Sequence, residues 1–322
     1  MTKANPKITV IIPTYNRSIY ILEAIQSIVD QNYENIEIMV IDDGSTDDTK
    51  AKLASLIETG IVRYVYQENR GRSAARNMGI SLATGDYLAF LDSDDLFESR
   101  TLIKRVEFLV GNPEIGLVHG GYSKFDDLEN DLGYRNPSWF SGWIYPKMLL
   151  MWTTLLATPT VMIPRQVMDE VGGFDENLYI GEDLDLWRRI ARRYQFGCIN
   201  QSLARIRVHV GNTSRDSIHT TREFERYLEK AFQDDDGLSA RFKHRALSRM
   251  YSNQAYIMLS GRGRELMSAA RTNAWRAIVN DLFNLHGYIA FLSTMFGYES
   301  RRNLVEQWRS LRGWLMARNR KE

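Results

Sequence analysis

The first 110 or so residues alternate two kinds of segment so regularly that few architectures can hold them. The run "ITVIIP" (Ile8 to Pro13) is continuous, β-branched and closed by proline, as a strand buried on both faces would be. "YILEAIQSIVDQ" then places Ile21, Leu22, Ile25, Ile28 and Val29 at helical spacing. "IEIMVID", "IVRYVYQ" and "YLAFLD" repeat the strand pattern. "STDDTKAKLASLIETG", "RSAARNMGISLATG" and "TLIKRVEFLVGN" repeat the helical one. In the first of these Ser45 and Asp48 are spaced as a capping box, with Gly60 as the stop. The pattern predicts an α/β fold: a Rossmann-like, mostly parallel sheet with helices on both faces.

In such sheets ligands bind at the carboxyl ends of the strands, near a topological switch point. Three polar clusters fall at those ends: "PTYNR" (Pro13 to Arg17), "DDGSTDD" (Asp42 to Asp48) and "DSDD" (Asp92 to Asp95). Parallel strands bring all three to one edge. Crowding Asp92, Asp94 and Asp95 is unfavourable unless a cation or cationic ligand arrives; an acidic surface turn is the plain alternative. No G-x-G-x-x-G follows the first strand and no G-x-x-x-x-G-K-[ST] occurs, which disfavours dinucleotide and P-loop chemistry. A nucleotide here needs its diphosphate neutralised by other means, and a carboxylate-held Mn²⁺ or Mg²⁺ provides them.

The stretch from about Ser123 to Leu156 is aromatic and irregular; strand, helix and loop patterns resume until about Asp216. Helices without strands follow. The expected division is therefore a catalytic domain over 1–216, with a nucleotide-binding half (1–115) and an acceptor half (116–216), and a helical region over 217–322. The 322 residues, 44% apolar and 25% charged, suit a large globular core with an appendage. A net charge of +1 gives no field that argues for nucleic acid, and a single cysteine excludes a disulfide framework. No leader pattern precedes the first strand, and no apolar run approaches the ~20 residues of a membrane span, so a cytoplasmic setting is expected. From Arg301 onward seven basic residues stand against Glu306 and Glu322, with Trp308, Leu311, Trp314 and Leu315 at helical spacing. That tail suits peripheral contact with the inner face of the cell membrane, packing on the catalytic domain, or a homodimer interface.

The segments "VIIPTYNR", "VIDDGSTDDT", "GRSAARNMGI", "GDYLAFLDSDD", "VGGFDE", "GEDLDLWRR" and "VHVGNTS" occur in the order expected of glycosyltransferase family 2, which residues 6 to 216 resemble. The resemblance implies a GT-A fold and an inverting, metal-dependent transfer from a nucleotide-sugar donor to a saccharide or lipid-linked acceptor, as in assembly of a cell-envelope polysaccharide. It makes Asp92-Ser93-Asp94 the DXD motif, with Asp94 on the metal and Asp92 and Ser93 toward the nucleotide sugar. It makes Asp43 the reader of the base; an acceptor-only carboxylate suits an imide N–H, favouring UDP- or dTDP-sugars. Pro13, Thr14 and Tyr15 would flank the base, unless Tyr15 is a core aromatic. Arg76 would face the nucleotide, with a structural ion pair as the alternative, whereas Arg70 and Arg72 are expected to be solvated.

Inverting transfer needs a base on the face opposite the departing diphosphate. By resemblance Asp183 is that base, with Glu182 the alternative and a capped helix start the non-catalytic reading. His209 would join the metal, or else be a satisfied structural histidine. Asp42 is expected to be structural, Asp95 a helix-start residue, and His119 core or sheet edge. Trp187 and the Trp139 to Trp152 group would either stack on acceptor sugars or pack. Two other functions remain at this stage. A sugar-1-phosphate nucleotidyltransferase would carry a glycine-rich basic loop after the first strand, which "PTYNR" is not. A non-catalytic sugar-nucleotide or glycan-binding module would have no need of the intact acidic groups.

Overall fold

The computed structural model describes residues 5–135, 140–151, 156–209, 217–259 and 264–296. The chain divides into two compact units: Met1–Met148 with Thr154–Asn212, and Leu149–Thr153 with Thr213–Glu322.

The first unit begins with β1 (Ile8–Thr14), α1 (Ile21–Val29), β2 (Ile36–Asp43), α2 (Thr49–Glu58), β3 (Val62–Gln67), α3 (Arg72–Leu82) and β4 (Tyr87–Phe90). The four strands are parallel in the order β3-β2-β1-β4. The period of two divides each strand between two buried faces. Ile8, Val10 and Ile12 share a core with Ile21, Ile25 and Ile28 of α1 and Leu53 of α2. Ile11 points the other way and meets α3 at Gly79, where a Cβ would lie 2.4 Å from Ile11 Cγ2. Helices therefore cover both faces, and α3 rides close over β1 because Gly79 has no side chain. The capping box expected at Ser45 and Asp48 does not form. Ser45 Oγ instead accepts from Asn16 N, and Asp47 Oδ1 holds Thr49 N.

The unit continues with β5 (Leu96–Phe97), α4 (Thr101–Gly111), β6 (Ile115–Asp126), β7 (Asp131–Arg135) and the start of α5 (Lys147–Met151), whose last three residues belong to the second unit. A 3₁₀ turn (Thr158–Thr160), β8 (Met162–Pro164), α6 (Arg165–Val171), α7 (Glu182–Ala191) and β9 (Gln195–Val208) complete it. The sheet extends as β4-β8-β6-β9-β5, with β7 on β6. β8 is antiparallel to both β4 and β6, so two reversals restore the direction, and β9 runs parallel to β6. The end of β9 therefore arrives at the same edge as the ends of β1, β2 and β4. The long strand β6 enters the stretch expected to be irregular from Ser123. Its strand signal is diluted by glycines, and at Gly120 a Cβ would lie 2.5 Å from Leu203 of β9. Close pairing with a strand 80 residues later, not local propensity, makes β6.

The second unit holds α8 (Ser217–Gln233), α9 (Ala240–Leu259), α10 (Arg264–Asn280) and α11 (Leu285–Ser293). Small residues Ala270, Ala274 and Ala290 let α10 and α11 close on Tyr256, Met258 and Leu259 of α9. The basic tail from Arg301 lies outside the described residues. No helix among the described residues is long and apolar enough to cross a membrane.

Candidate active site

The acidic loop after β4 is laid beside β9 by the short strand β5, whose Leu96 pairs with Arg205. Asp95 is not a helix-start residue, since α4 begins only at Thr101. It is 4% exposed, and its Oδ1 accepts from Arg207 N at 2.9 Å. Burial, then the charges of Asp94 and Asp92, hold its carboxyl well above the usual range. Arg207 in turn donates from Nε to the Asp94 carbonyl at 3.1 Å, and its guanidinium lies over the rings of Tyr20 and Phe125.

Asp94 and His209 come together across 115 residues of chain. Asp94 Oδ2 is 2.9 Å from His209 Nε2 and 3.5 Å from Arg17 Nε. The imidazole, 8% exposed, is steadied by the Tyr20 ring with centroids 5.3 Å apart. No cluster of three or more His, Cys, Asp or Glu that could enclose a metal occurs among the described residues. One carboxylate and one imidazole nevertheless fit a divalent cation that takes its other ligands from phosphate and water, the usual habit of Mg²⁺.

Arg76, on α3, ties the acidic loop to α7. It is 3% exposed; Nη2 donates to Asp92 Oδ1 at 2.7 Å and Nη1 to Glu182 Oε1 at 3.0 Å. Burial alone would lower its pKa, and the two carboxylates more than reverse that, so the guanidinium stays charged. The ring of Phe174 lies 5.3 Å from its Cζ and passes the contact on, edge to face, to Phe90 and Trp187. Arg72, one turn earlier, is not merely solvated: its Nε pairs with Glu182 Oε1 at 2.8 Å and its Nη2 donates to the Tyr179 carbonyl.

Glu182 is thus 3% exposed and gripped by two arginines. Its neighbour Asp183 is only half-buried and accepts from Leu184 N at 2.7 Å. Burial, then the Glu182 charge, push the Asp183 carboxyl up to about 7, against the pull of Arg72, Leu184 N and Arg76. The two carboxylates therefore differ in kind: one is locked in ion pairs, the other is poised to exchange a proton near neutrality.

At the β1–β3 end, Asp42 is structural, accepting from Ser45 N and the Tyr64 hydroxyl. Asp43, 4% exposed, accepts from Gln67 Nε2 at 2.7 Å, Arg70 N at 2.8 Å and Gly71 N at 2.9 Å, pinning the turn into α3. Gly71, with φ of 90°, makes that turn. Thr14 Oγ1 and Gln67 Oε1 are buried here with no hydrogen-bond partner among the described residues, a state that favours a ligand or water. Tyr15, next to Pro13 and Thr14, is 47% exposed and so is not a core aromatic. Ser93 is buried between Asp92 and Asp94.

Two other expectations are decided. Trp187 is fully buried and so is closed to stacking on a sugar, and His119 is core, its Nε2 2.7 Å from the Phe140 carbonyl. Trp143 is 61% exposed, while Trp139 and Trp152 lie outside the described residues. Sequence reasoning missed Arg17, Arg207 and Gln67 as site residues. Arg207 carried one signal, its place near the end of a strand, two positions before His209.

Residues 9–171 match the model of glycosyl transferase family 2. An uncharacterized glycosyltransferase of Rickettsia felis is 38% identical over 211 residues, 65% of this chain and 34% of that protein. The chain thus spans about a third of the length of the first curated relatives it matches. Among solved structures, the Pyrobaculum calidifontis mannosyltransferase PcManGT, in complex with GDP-Man and Mn²⁺, superposes with a TM-score of 0.62 at 21% identity, covering 94% of this chain and 84% of that one. S. aureus TarS 1-349 in complex with UDP-GlcNAc gives 0.63 at 16% identity, with 94% and 92% covered. The fold is that of the GT-A glycosyltransferases.

Proposed function

From the premise that the chain belongs to glycosyl transferase family 2, we propose that it moves a sugar, with inversion, from a nucleoside diphosphate to a hydroxyl of a saccharide or lipid-linked saccharide. The observation that carries this is the single chain of contacts from His209 and Asp94, through the acidic loop and Arg76, to Glu182 and Asp183. It puts the acidic loop and a near-neutral carboxyl at one sheet edge, which supports a reading in which the loop faces the donor's diphosphate and the carboxyl faces the acceptor.

Asp94 and His209 would hold Mn²⁺ or Mg²⁺, whose charge offsets the negative charge growing on the leaving diphosphate. Thr14, Tyr15 and Gln67 receive the base. Asp43 has three acceptor positions filled and one of about four left for an imide N–H, which favours a UDP- or dTDP-sugar. Asp183 takes the proton of the acceptor hydroxyl as it attacks the anomeric carbon from the side opposite the diphosphate. Glu182 and Asp92, each fixed by Arg76, set where Asp183 and the acidic loop stand.

The test is a panel of nucleotide sugars scored by thermal shift with and without Mn²⁺, followed by transfer assays on the stabilising donor. Asp94→Ala should lose the Mn²⁺-dependent shift and the activity. Asp183→Asn should keep the shift and lose the activity. Wild-type turnover in both variants would refute the assignment.

A further inference from the structure

The turn between α10 and α11, with the outer side of both helices, carries an apolar surface to which none of the site residues described above belongs. α11 is apolar on two sides. Its inner side, Gly287, Ala290 and Ser293, is buried, and a Cβ at Gly287 would come within 3.1 Å of Ile278 Cγ1. Its outer side carries Leu285, Tyr288 and Leu292 at helical spacing, 67%, 40% and 54% exposed. Trp275 and Val279 extend the surface along α10, the Trp275 ring lying 6.1 Å from that of Phe291. At the tip Leu282 is 66% and Phe283 93% exposed.

That tip is tied down by hydrogen bonds on both sides of Phe283. Asp281 Oδ1 accepts from Phe283 N at 3.1 Å. Asn284, 8% exposed, donates to Ser248 Oγ and Ser252 Oγ, both at 2.7 Å, and caps α11 by accepting from His286 N. A fixed turn presenting two large apolar side chains to water is costly unless something covers it.

The charges say what covers it. From Leu282 to Phe296 the sequence has no Asp, Glu, Lys or Arg. Residues 297–322, which follow directly, carry seven basic side chains and three acidic ones, a net charge of +4. A second copy docking face to face would bring two such positive segments together. An anionic lipid surface takes the uncharged face into its interfacial layer and attracts the basic segment at once. We propose that the α10–α11 face is a membrane-docking surface for anionic lipid bilayers, with Leu282 and Phe283 as its inserting tip.

The test uses the full chain, co-sedimented with vesicles of phosphatidylcholine alone or with about a third phosphatidylglycerol. Wild type should bind the anionic vesicles, more weakly as salt rises. The Leu282→Ser/Phe283→Ser variant should bind at least tenfold more weakly with an unchanged thermal midpoint, since both side chains are already largely exposed. Should that variant prove unstable, Leu285→Ser/Leu292→Ser, on the outer side of α11, gives the same readout. Unchanged binding by a folded variant, or no wild-type binding to anionic vesicles, would overturn the proposal. Equal binding to neutral vesicles would remove anionic lipid as the partner. A wild-type dimer in light scattering that the variant dissolves would assign the face to a second copy instead.

Discussion

Replacing Glu182 by glutamine removes one charge from beside Asp183 at nearly constant side-chain volume. Burial comes first among the causes that push the Asp183 carboxyl up to about 7, and the Glu182 charge second. Carboxylates on adjacent residues at about 6 Å, with an effective dielectric of ~20, repel by about 3 kcal/mol, or about two pK units. In Glu182→Gln the Asp183 pKa should therefore fall to about 5, and further if Arg72 and Arg76 turn their freed charge toward it. The ionised fraction at pH 6 then rises from about one tenth to about nine tenths. The assay is kcat/KM against pH from 4.5 to 8.5, because its acid limb reports the free enzyme's base. The plateau should drop, since Arg72 and Arg76 lose their anchor, so the position of the limb is the readout. A limb that stays near pH 7, or one that persists in Asp183→Asn, would refute Asp183 as the base.

Arg76→Met should cost about 3–5 kcal/mol in urea unfolding, because Glu182 keeps its buried charge and loses a partner; Arg76→Lys should recover only part, having no fork to span Asp92 and Glu182. Gly79→Ala should cost about 1–3 kcal/mol, since its Cβ meets Ile11 Cγ2 in a full core, and a neutral result would place α3 elsewhere. For Asp183 the raised pKa fixes the sign of the pH dependence: the neutral carboxyl stabilises the fold fully below about pH 4, and this is lost as pH rises through about 7. Asp183→Asn should therefore gain stability relative to wild type between pH 4 and 7, measured as the urea midpoint at each pH, and a constant difference would contradict the burial of that carboxyl.

Much of the first unit was legible because its signals are local. "ITVIIP", "IEIMVID" and "YLAFLD" are buried strands whose neighbours in the sheet are the adjacent segments of the chain, so periodicity and turn residues suffice. The grouping of "PTYNR", "DDGSTDD" and "DSDD" at one edge follows from parallel direction alone. Less local features were not legible. Asp95 looked like a helix start because acidic residues favour that place, yet its partner is a backbone N–H 112 residues away. Arg72 looked solvated because Glu182, 110 residues on, cannot be seen from "GRSAARN". Trp187 offered a ring of the right kind for a sugar, and only packing against Phe174 shows that it is buried.

The sequence by itself determined the alternation of strands and helices, the shared strand edge and the residue types that gather there, because each depends on neighbours a few positions apart. Tertiary structure decided which of those residues meet. Two antiparallel steps through β8 turn β9 back so that His209 reaches Asp94, and α3 lies close enough over β1 for Arg76 to join Asp92 to Glu182. Glu182 and Asp183, adjacent and chemically alike, part company for the same reason. Burial and charge at a carboxyl are set by whatever long-range packing places around it, and sequence neighbours share little of that.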